Sequence, residues 1–376
     1  MPPLSLYIHF PWCIQKCPYC DFNSHAVKTG IPETAYIDRL LDDLKADLSL
    51  LTSTAKIQSI FMGGGTPSLF SPDSLAYLLN GIKQQIELAA DCEITLEANP
   101  GTFESAKFKA FRDLGINRLS IGIQSFNERH LQKLGRVHNV EEAVNAVKIA
   151  QNAGFDNLNL DLMFGLPEQT PAEALSDVQT AISLNPSHIS FYQLTLEPNT
   201  YFYKFPPKLP DDERIFAMQK SCQQLLAENG YQQYEISAYA KAGIQSRHNL
   251  NYWQFGDYLG IGAGAHGKIS RSLPDDILRT AKPKGPEQYL NNTIARTDVV
   301  ISLDELPLEF VMNQLRLKTG FNLENFQKHT GLNGDSLQPA LSQCLDQGLL
   351  IQQQQQICCS ERGWNFLDDI LEKFIP

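Results

Sequence analysis

Apolar positions along this chain alternate between two textures. Short apolar runs at 5–10, 57–62, 93–98, 118–123, 157–164 and 188–196 read as strands. Between them, apolar residues recur at i, i+3, i+4 and i+7, the period of an amphipathic helix. Ile37, Leu40, Leu41, Leu44, Leu48 and Leu51 form one such stripe, and Leu75, Leu78, Leu79, Ile82 and Ile86 form the next. Ser71 before Pro72 reads as an N-cap with proline at N1. Asn139 with Glu142 predicts a capping box on a helix that buries Val144 and Val147; Thr170 with Glu173 predicts another, on a helix running past Val178 and Ile182. A helix carrying Phe103, Phe111 and Leu114 is expected to stop at Gly115, and the helix after Asn139 at Gly154.

Six strands alternating with helices predict a parallel sheet of right-handed βαβ units. Eight would close a full barrel. The expected fold is therefore α/β, a laterally open partial (β/α)6 TIM-like barrel over 1–200, with a doubly wound open sheet as the second choice. Residues 201–300 read as a barrel-completing region that ends in a connector, 268–301, punctuated by Pro274, Pro283 and Pro286. The texture changes over 301–376. Helices over 303–317, 323–329 and 337–345, then a hairpin around a glutamine run at 352–356, predict a small winged-helix-like α+β domain. Cys358 and Cys359 read as bystanders there.

Charge narrows the choice of partners. The chain of 376 residues has a formal net charge of −11 and no run of Lys or Arg. A broad nucleic-acid footprint needs a basic face, so none is expected. Few basic residues, Lys318 and Lys328 among them, mark the last domain, which suits protein docking or a lid better than DNA. No apolar run approaches the roughly 20 residues of a membrane span, and the N-terminus lacks a signal-peptide pattern. The eight cysteines do not form a secreted disulfide framework, so a reducing cytoplasm is the expected location.

Chemistry in such folds sits at the C-terminal ends of the strands, and the distinctive motifs fall there. Cys13, Cys17 and Cys20, spaced C-x3-C-x2-C, follow the first strand. Their thiolates can each hold one iron of a cubane cluster. A cubane has four irons, so either a distant cysteine closes the site or one iron stays open. Gly63-Gly64-Gly65-Thr66-Pro67 follows the second strand, and Glu97-Ala98-Asn99-Pro100 the third. Gln124-Ser125-Phe126 follows the fourth, and the fifth carries Asp161 ahead of Gly165-Leu166-Pro167.

Taken together, the cysteine loop, GGGTP, LEANP, GIQSF and GLPEQT resemble the radical S-adenosylmethionine (SAM) superfamily, and within it the oxygen-independent coproporphyrinogen III oxidase group. The resemblance covers about residues 7–266. It implies a [4Fe–4S] cluster on Cys13, Cys17 and Cys20, with the open iron chelated by the amino and carboxylate groups of SAM. An electron from the cluster would then cleave the sulfonium C–S bond to give an adenosyl radical, in a site that positions it and excludes water. The implied SAM contacts are Tyr7, Tyr19, Gly64, Gly65, Thr66, Glu97, Gln124, Arg136 and Asp161. Gly64, Gly65 and Thr66 would admit the methionyl ammonium, Asp161 the ribose hydroxyls, and Arg136 the carboxylate.

Two departures separate close relatives. The oxidase group is expected to continue to a fourth cysteine, where this chain has Phe22, and to carry an extra N-terminal segment with no counterpart ahead of Tyr7. Both match a haem chaperone branch of the same family. His248-Asn249-Leu250-Asn251-Tyr252-Trp253 also matches that branch's H-N-x-x-Y-W motif. The match implies haem contact by His248, Asn249, Tyr252 and Trp253, with His248 the candidate iron ligand and the aromatic rings as flat faces. The glycine-dense stretch 256–267 is expected to fold against the barrel's open side, with His266 a second candidate ligand. His9, His130, His138 and His188 read as structural.

The expected function is a haem chaperone that carries a SAM-coordinated cluster and hands haem to an acceptor, a respiratory haem protein among the candidates. The alternative is an oxidase converting porphyrinogen propionates to vinyl groups. Whether the chain is an enzyme stays open, because the radical machinery is present while the fourth cysteine is not. Peripheral membrane contact, and a monomer or haem-linked dimer, stay open too. The acidic charge and the lack of a basic appended domain set aside a tRNA-modifying role.

Overall fold

The computed structural model describes residues 2–28, 30–101, 105–291 and 296–376. The six expected strands are β1 (Leu4–Phe10), β2 (Ile57–Gly64), β3 (Leu88–Ala98), β4 (Arg118–Gln124), β5 (Asn157–Phe164) and β6 (His188–Gln193). They lie in sequence order and pair in parallel throughout. The sixth is shorter than expected, ending at Gln193.

The helices Glu33–Leu48, Pro72–Gln85, Val140–Asn152 and Pro171–Ser183 follow the predicted stripes. Ser71 accepts from the Ser74 amide, and both capping boxes form, Asn139 with Glu142 and Thr170 with Glu173. Val144 is only half-buried; Ala143, Ala146, Val147 and Ala150 make the inward face. Those four sit at i, i+3, i+4 and i+7, so Val144 falls on the flank of that face. Gly115 and Gly154 end their helices at positive φ, +95° and +90°. Phe103 lies outside the described residues.

The sheet extends beyond the six strands at both edges. Beside β6 lie β7 (Gln232–Glu235) and β8 (Ala238–Ala240), with β8 antiparallel to β6 and to β7. Beside β1 lies β9 (Asp257–Ile261), a seventh parallel strand. β10 (His266–Ser272), β11 (Asp276–Ala281) and β12 (Thr297–Val300) continue as an antiparallel meander. The stretch read as a connector, 268–301, therefore carries strands of this sheet. Glycine and proline hid this, because they break the alternation that marks a strand. Gly260 shows why a glycine is needed, since a Cβ there would lie 1.8 Å from the His266 carbonyl oxygen. Only a bare backbone lets β9 and β10 pass so close.

Alternate residues of the parallel strands, Leu6, Ile8, Ile60, Met62, Leu96, Leu119, Ile121 and Leu160 among them, build the main core with the helices. A second core holds the C-terminal helices Leu306–Gln314, Leu323–Thr330 and Ala340–Asp346 and the hairpin β13 (Leu350–Gln353) and β14 (Gln356–Cys359). Phe255 and Ile277 belong to this second core, so the C-terminal elements pack on the meander side of the sheet. Among the described residues no helix is long and apolar enough to cross a membrane.

Candidate cluster and cofactor site

The cysteine loop leaves β1 and is clamped at both ends. Trp12–Cys13 pairs in parallel with His25–Ala26, closing the loop on itself. The end of β2 grips its start: the Gly65 amide donates to the Phe10 carbonyl at 2.7 Å, and the Thr66 amide to the Trp12 carbonyl at 2.7 Å. A Cβ on Gly65 would lie 2.5 Å from the Trp12 oxygen, and one on Gly64 (φ +106°) 2.3 Å from the His9 ring. What these two glycines make room for is β1 and the cysteine loop. Asn23 fastens the far end, its Nδ2 donating to the Ala263 and Lys284 carbonyls at 2.8 and 2.9 Å.

Cys13, Cys17 and Cys20 are free, half-buried, and line one cavity of about 320 Å³. Thr66 Oγ1 donates to the Cys13 sulfur at 3.5 Å and Arg136 Nη1 to the Cys17 sulfur at 3.6 Å, while Cys20 meets Ser24 Oγ at 3.6 Å. Burial raises the Cys13 and Cys20 thiols above their ordinary range. Among the described residues no fourth cysteine lines the cavity, so none of them stands as the distant cysteine that would close the site. Among the described residues no three His, Cys, Asp or Glu side chains converge as a single ion would require. Cluster thiolates each take their own iron and so surround the group instead.

Eight of the nine residues assigned to SAM line this cavity: Tyr19, Gly64, Gly65, Thr66, Glu97, Gln124, Arg136 and Asp161. Tyr7 lines the neighbouring cavity. Arg136 Nη2 donates to Asn99 Oδ1 at 2.6 Å and to the Gly122 carbonyl at 2.7 Å, and its buried Nε has no partner among the described residues. Burial opposes the Arg136 charge, but Tyr19 and Cys17 outweigh it and hold the guanidinium above its usual range. Burial, and then the nearby Asp161, push the Glu97 carboxyl up to about 8. Glu97 Oε2 accepts from the Gly64 amide at 3.1 Å. Burial also raises Asp161, which accepts from Asn159 Nδ2 at 2.8 Å and Ser120 Oγ at 3.3 Å.

Gln124 ends β4 in the left-handed region at φ 71°, where the register with β5 shifts, and its Oε1 accepts from Tyr192 at 2.8 Å. A non-glycine residue in this region persists only where its surroundings hold it, here the bulge and the Tyr192 hydroxyl. Asn99, Ser120 and Tyr192 also line the cavity and were missed as site residues. Asn99 alone carried a signal, inside the LEANP motif. The donor set fits the groups the resemblance implies: three thiols for a cluster, a half-buried guanidinium with a spare N–H for a carboxylate, and half-buried carboxyls for an ammonium and hydroxyls.

A larger cavity, about 920 Å³, adjoins the first and shares Cys20, Phe22, Ser24, Gly64 and Glu97 with it. Phe22, where the fourth cysteine was expected, is 59% exposed on this shared wall. Tyr7, Tyr252, Trp253, Phe255 and Tyr258 line the larger cavity, with Met312 of the C-terminal part. The helix Arg247–Trp253 presents Tyr252 edge-on to Tyr258, centroids 4.3 Å apart, and places Trp253 beneath Arg316 at 4.3 Å.

His248 stands behind this wall. It is buried, its Nδ1 lies 3.0 Å from Ser59 Oγ, and its Nε2 lies 3.0 Å from the Tyr252 hydroxyl. Burial, reinforced by Arg118, lowers its pKa to about 3, so the ring is neutral. Asn249 lies in the first turn of the helix, and neither it nor His248 lines the cavity. The four motif residues are thus split: Tyr252 and Trp253 line the cavity, and His248 and Asn249 do not. His9, His130, His138 and His188 are buried, as expected of structural histidines.

Known proteins bear on this arrangement. A family model described as the radical SAM superfamily matches residues 7–181, and one for the HemN C-terminal domain matches 301–366. The heme chaperone HemW of Haemophilus influenzae is 51% identical over 378 residues, covering 100% of this chain and 98% of that protein. Its Escherichia coli counterpart is 48% identical over 376 residues, covering 100% and 99%. The solved structure of E. coli coproporphyrinogen III oxidase (HemN), a radical SAM enzyme, matches with a TM-score of 0.83 at 22% identity, over 99% of this chain and 90% of that one. That last likeness shows the fold. The chain belongs to the radical SAM superfamily, in the family of the heme chaperone HemW proteins.

Proposed function

We propose that this protein is a haem chaperone that holds haem beside a SAM-coordinated [4Fe–4S] cluster and passes it to an acceptor protein. The observation that carries the reading is the shared wall: a thiol-lined cavity opens against a larger aromatic one across Gly64, Glu97 and Phe22. Full-length likeness to proteins named heme chaperone supports it.

In this reading Cys13, Cys17 and Cys20 hold the cluster. Bound together, the cluster and SAM supply one-electron chemistry at an open iron. The chain's own residues set the conditions. Thr66 and Arg136 donate to the Cys13 and Cys17 sulfurs and so face the cluster site. Arg136 also offers its spare Nε–H to a carboxylate, and Glu97 and Asp161 offer carboxylates to an ammonium and to hydroxyls. Burial keeps water from these groups. In the larger cavity Tyr252, Trp253 and Tyr258 present apolar faces to a flat macrocycle.

Residues 1–200 carry the cluster and SAM in this reading, 201–300 build the haem wall, and 301–376 cover it, with Met312 and Asn313 reaching the cavity. Eight unpaired cysteines support a reducing, cytoplasmic setting. A respiratory haem protein is the candidate acceptor.

The oxidase alternative shares the fold, but Phe22 stands where its motif continues to cysteine. The discriminating assay incubates the anaerobically reconstituted chain with SAM, a reductant and coproporphyrinogen III. The chaperone reading expects no protoporphyrinogen, and its formation at enzymatic rates would sink that reading as the main role.

A further inference from the structure

We infer that His266, and not His248, is the side chain that coordinates haem iron in the larger cavity. This rests on the haem-carrier reading above and names the residue that reading leaves open. A cavity of about 920 Å³ is at the upper end of the roughly 300–1,000 Å³ typical of ligand sites, so it has room for a macrocycle.

Iron takes a neutral imidazole through a ring nitrogen with no other commitment. Among the described residues three histidines line the cavity: His9, His25 and His266. Both His9 nitrogens are committed, Nδ1 to the Tyr7 hydroxyl at 2.9 Å and Nε2 to the Asn23 carbonyl at 2.8 Å. His25 Nε2 faces Asn23 Oδ1 at 3.3 Å, and its ring is also held by the Lys284 backbone. His266 is exposed to the cavity, and neither ring nitrogen has a hydrogen-bond partner among the described residues.

The His266 backbone is fixed while its ring is free. It opens β10, is paired with Ala281, and lies against Gly260, where no side chain could fit. Burial, with Lys284 and Arg279 nearby, holds its pKa below the ordinary value, which favours the neutral ring a metal needs. Those same cations suit the propionates of haem. Lys284 Nζ is exposed and has no carboxylate partner among the described residues. Arg279 is tied to Tyr258 and Glu309 and gives a fixed positive edge.

His248 has the opposite situation. Its two nitrogens are engaged by Ser59 and Tyr252, and Tyr252 stands between it and the cavity. Its role is to position Tyr252 on the aromatic wall.

The test is titration of the full-length protein with ferric haem, read by Soret and charge-transfer absorption and by electron paramagnetic resonance. Wild type, His266→Ala and His248→Ala are compared. The inference expects His266→Ala to shift the Soret band, change the spin state and weaken binding by about tenfold or more, with added imidazole restoring the wild-type spectrum. It expects folded His248→Ala to keep the wild-type ligand signature even if affinity falls. Because His266 is exposed, its variant folds and decides the matter alone. An unchanged spectrum and affinity in His266→Ala overturns the inference while leaving the haem-carrier reading standing. Failure of wild type to bind haem overturns both.

Discussion

Arg136 and Asn99 form a 2.6 Å hydrogen bond that ties two cysteine sulfurs into one network. Arg136 Nη1 reaches the Cys17 sulfur, and Asn99 Nδ2 donates at 2.9 Å to Thr66 Oγ1, which in turn donates to the Cys13 sulfur. One amide thus orients both side chains that face the cluster site. Its loss leaves a half-buried guanidinium short of an acceptor.

Asn99→Ala should therefore bind SAM more weakly without unfolding. A hydrogen bond to a charged group contributes about 1.5–3 kcal/mol, so the expected loss is about 10- to 100-fold in affinity. Calorimetric titration of the cluster-loaded variant checks this. Wild-type affinity would show that the network does not orient the site.

Glu97 makes the site pH-sensitive. Its pKa of about 8 in the folded protein exceeds the ordinary 4.5 because burial and then Asp161 disfavour the charge. A raised carboxyl means that the native state keeps a proton the unfolded chain has released. Stability from this group is full below the ordinary value and is lost as pH rises through about 8. A cationic ligand needs the ionised carboxylate, so SAM affinity should rise over the same window, with proton release on binding. Glu97→Gln should flatten both profiles. Equal pH slopes in variant and wild type would assign the dependence elsewhere.

Gly65 has no space for a methyl group, and its neighbours are backbone carbonyls that cannot swing aside. Gly65→Ala should destabilise the protein by about 1–3 kcal/mol, the usual cost of overpacking, and lower iron content after reconstitution. Thermal unfolding and iron analysis together test it. Full iron loading at wild-type stability would contradict the clamp.

Lys282 is buried against Asp43 and Asp47, with Asp47 also 2.9 Å from Arg296. These contacts fasten the end of β11 to the helix Glu33–Leu48. Lys282→Met would leave two buried carboxylates short of a cation and should cost about 3–5 kcal/mol. Urea unfolding measures it. A loss below about 1 kcal/mol would mean that the pair is solvated.

The parallel strands and helix caps were legible because each has a local cause. Short apolar runs mark β1 to β6, and Ser71, Asn139 and Thr170 supply side-chain oxygens at helix starts. β9 to β11 were not legible. Gly260, Gly262, Gly264 and Gly267 interrupt their pattern, and the reason for a glycine at 260 lies across the sheet, at His266. Cys13, Cys17 and Cys20 announced themselves by spacing. Tyr192 did not, because its importance comes from a partner 68 residues away in the chain, Gln124, and Asn99 showed only as part of LEANP, its partner Arg136 lying 37 residues on. His248 looked like a ligand by motif, and only the packing of Ser59 and Tyr252 reveals that both its nitrogens are engaged.

The central claim is that this chain carries haem and gives it up. The most direct measurement loads the cluster-reconstituted protein with haem under anaerobic conditions and offers it an apo haem-protein acceptor across a gel-filtration step. The account predicts a stable haem complex alone, and movement of the Soret absorbance to the acceptor fractions when it is present. Absence of any haem complex, or retention of all haem by the chain in the presence of acceptor, would contradict it.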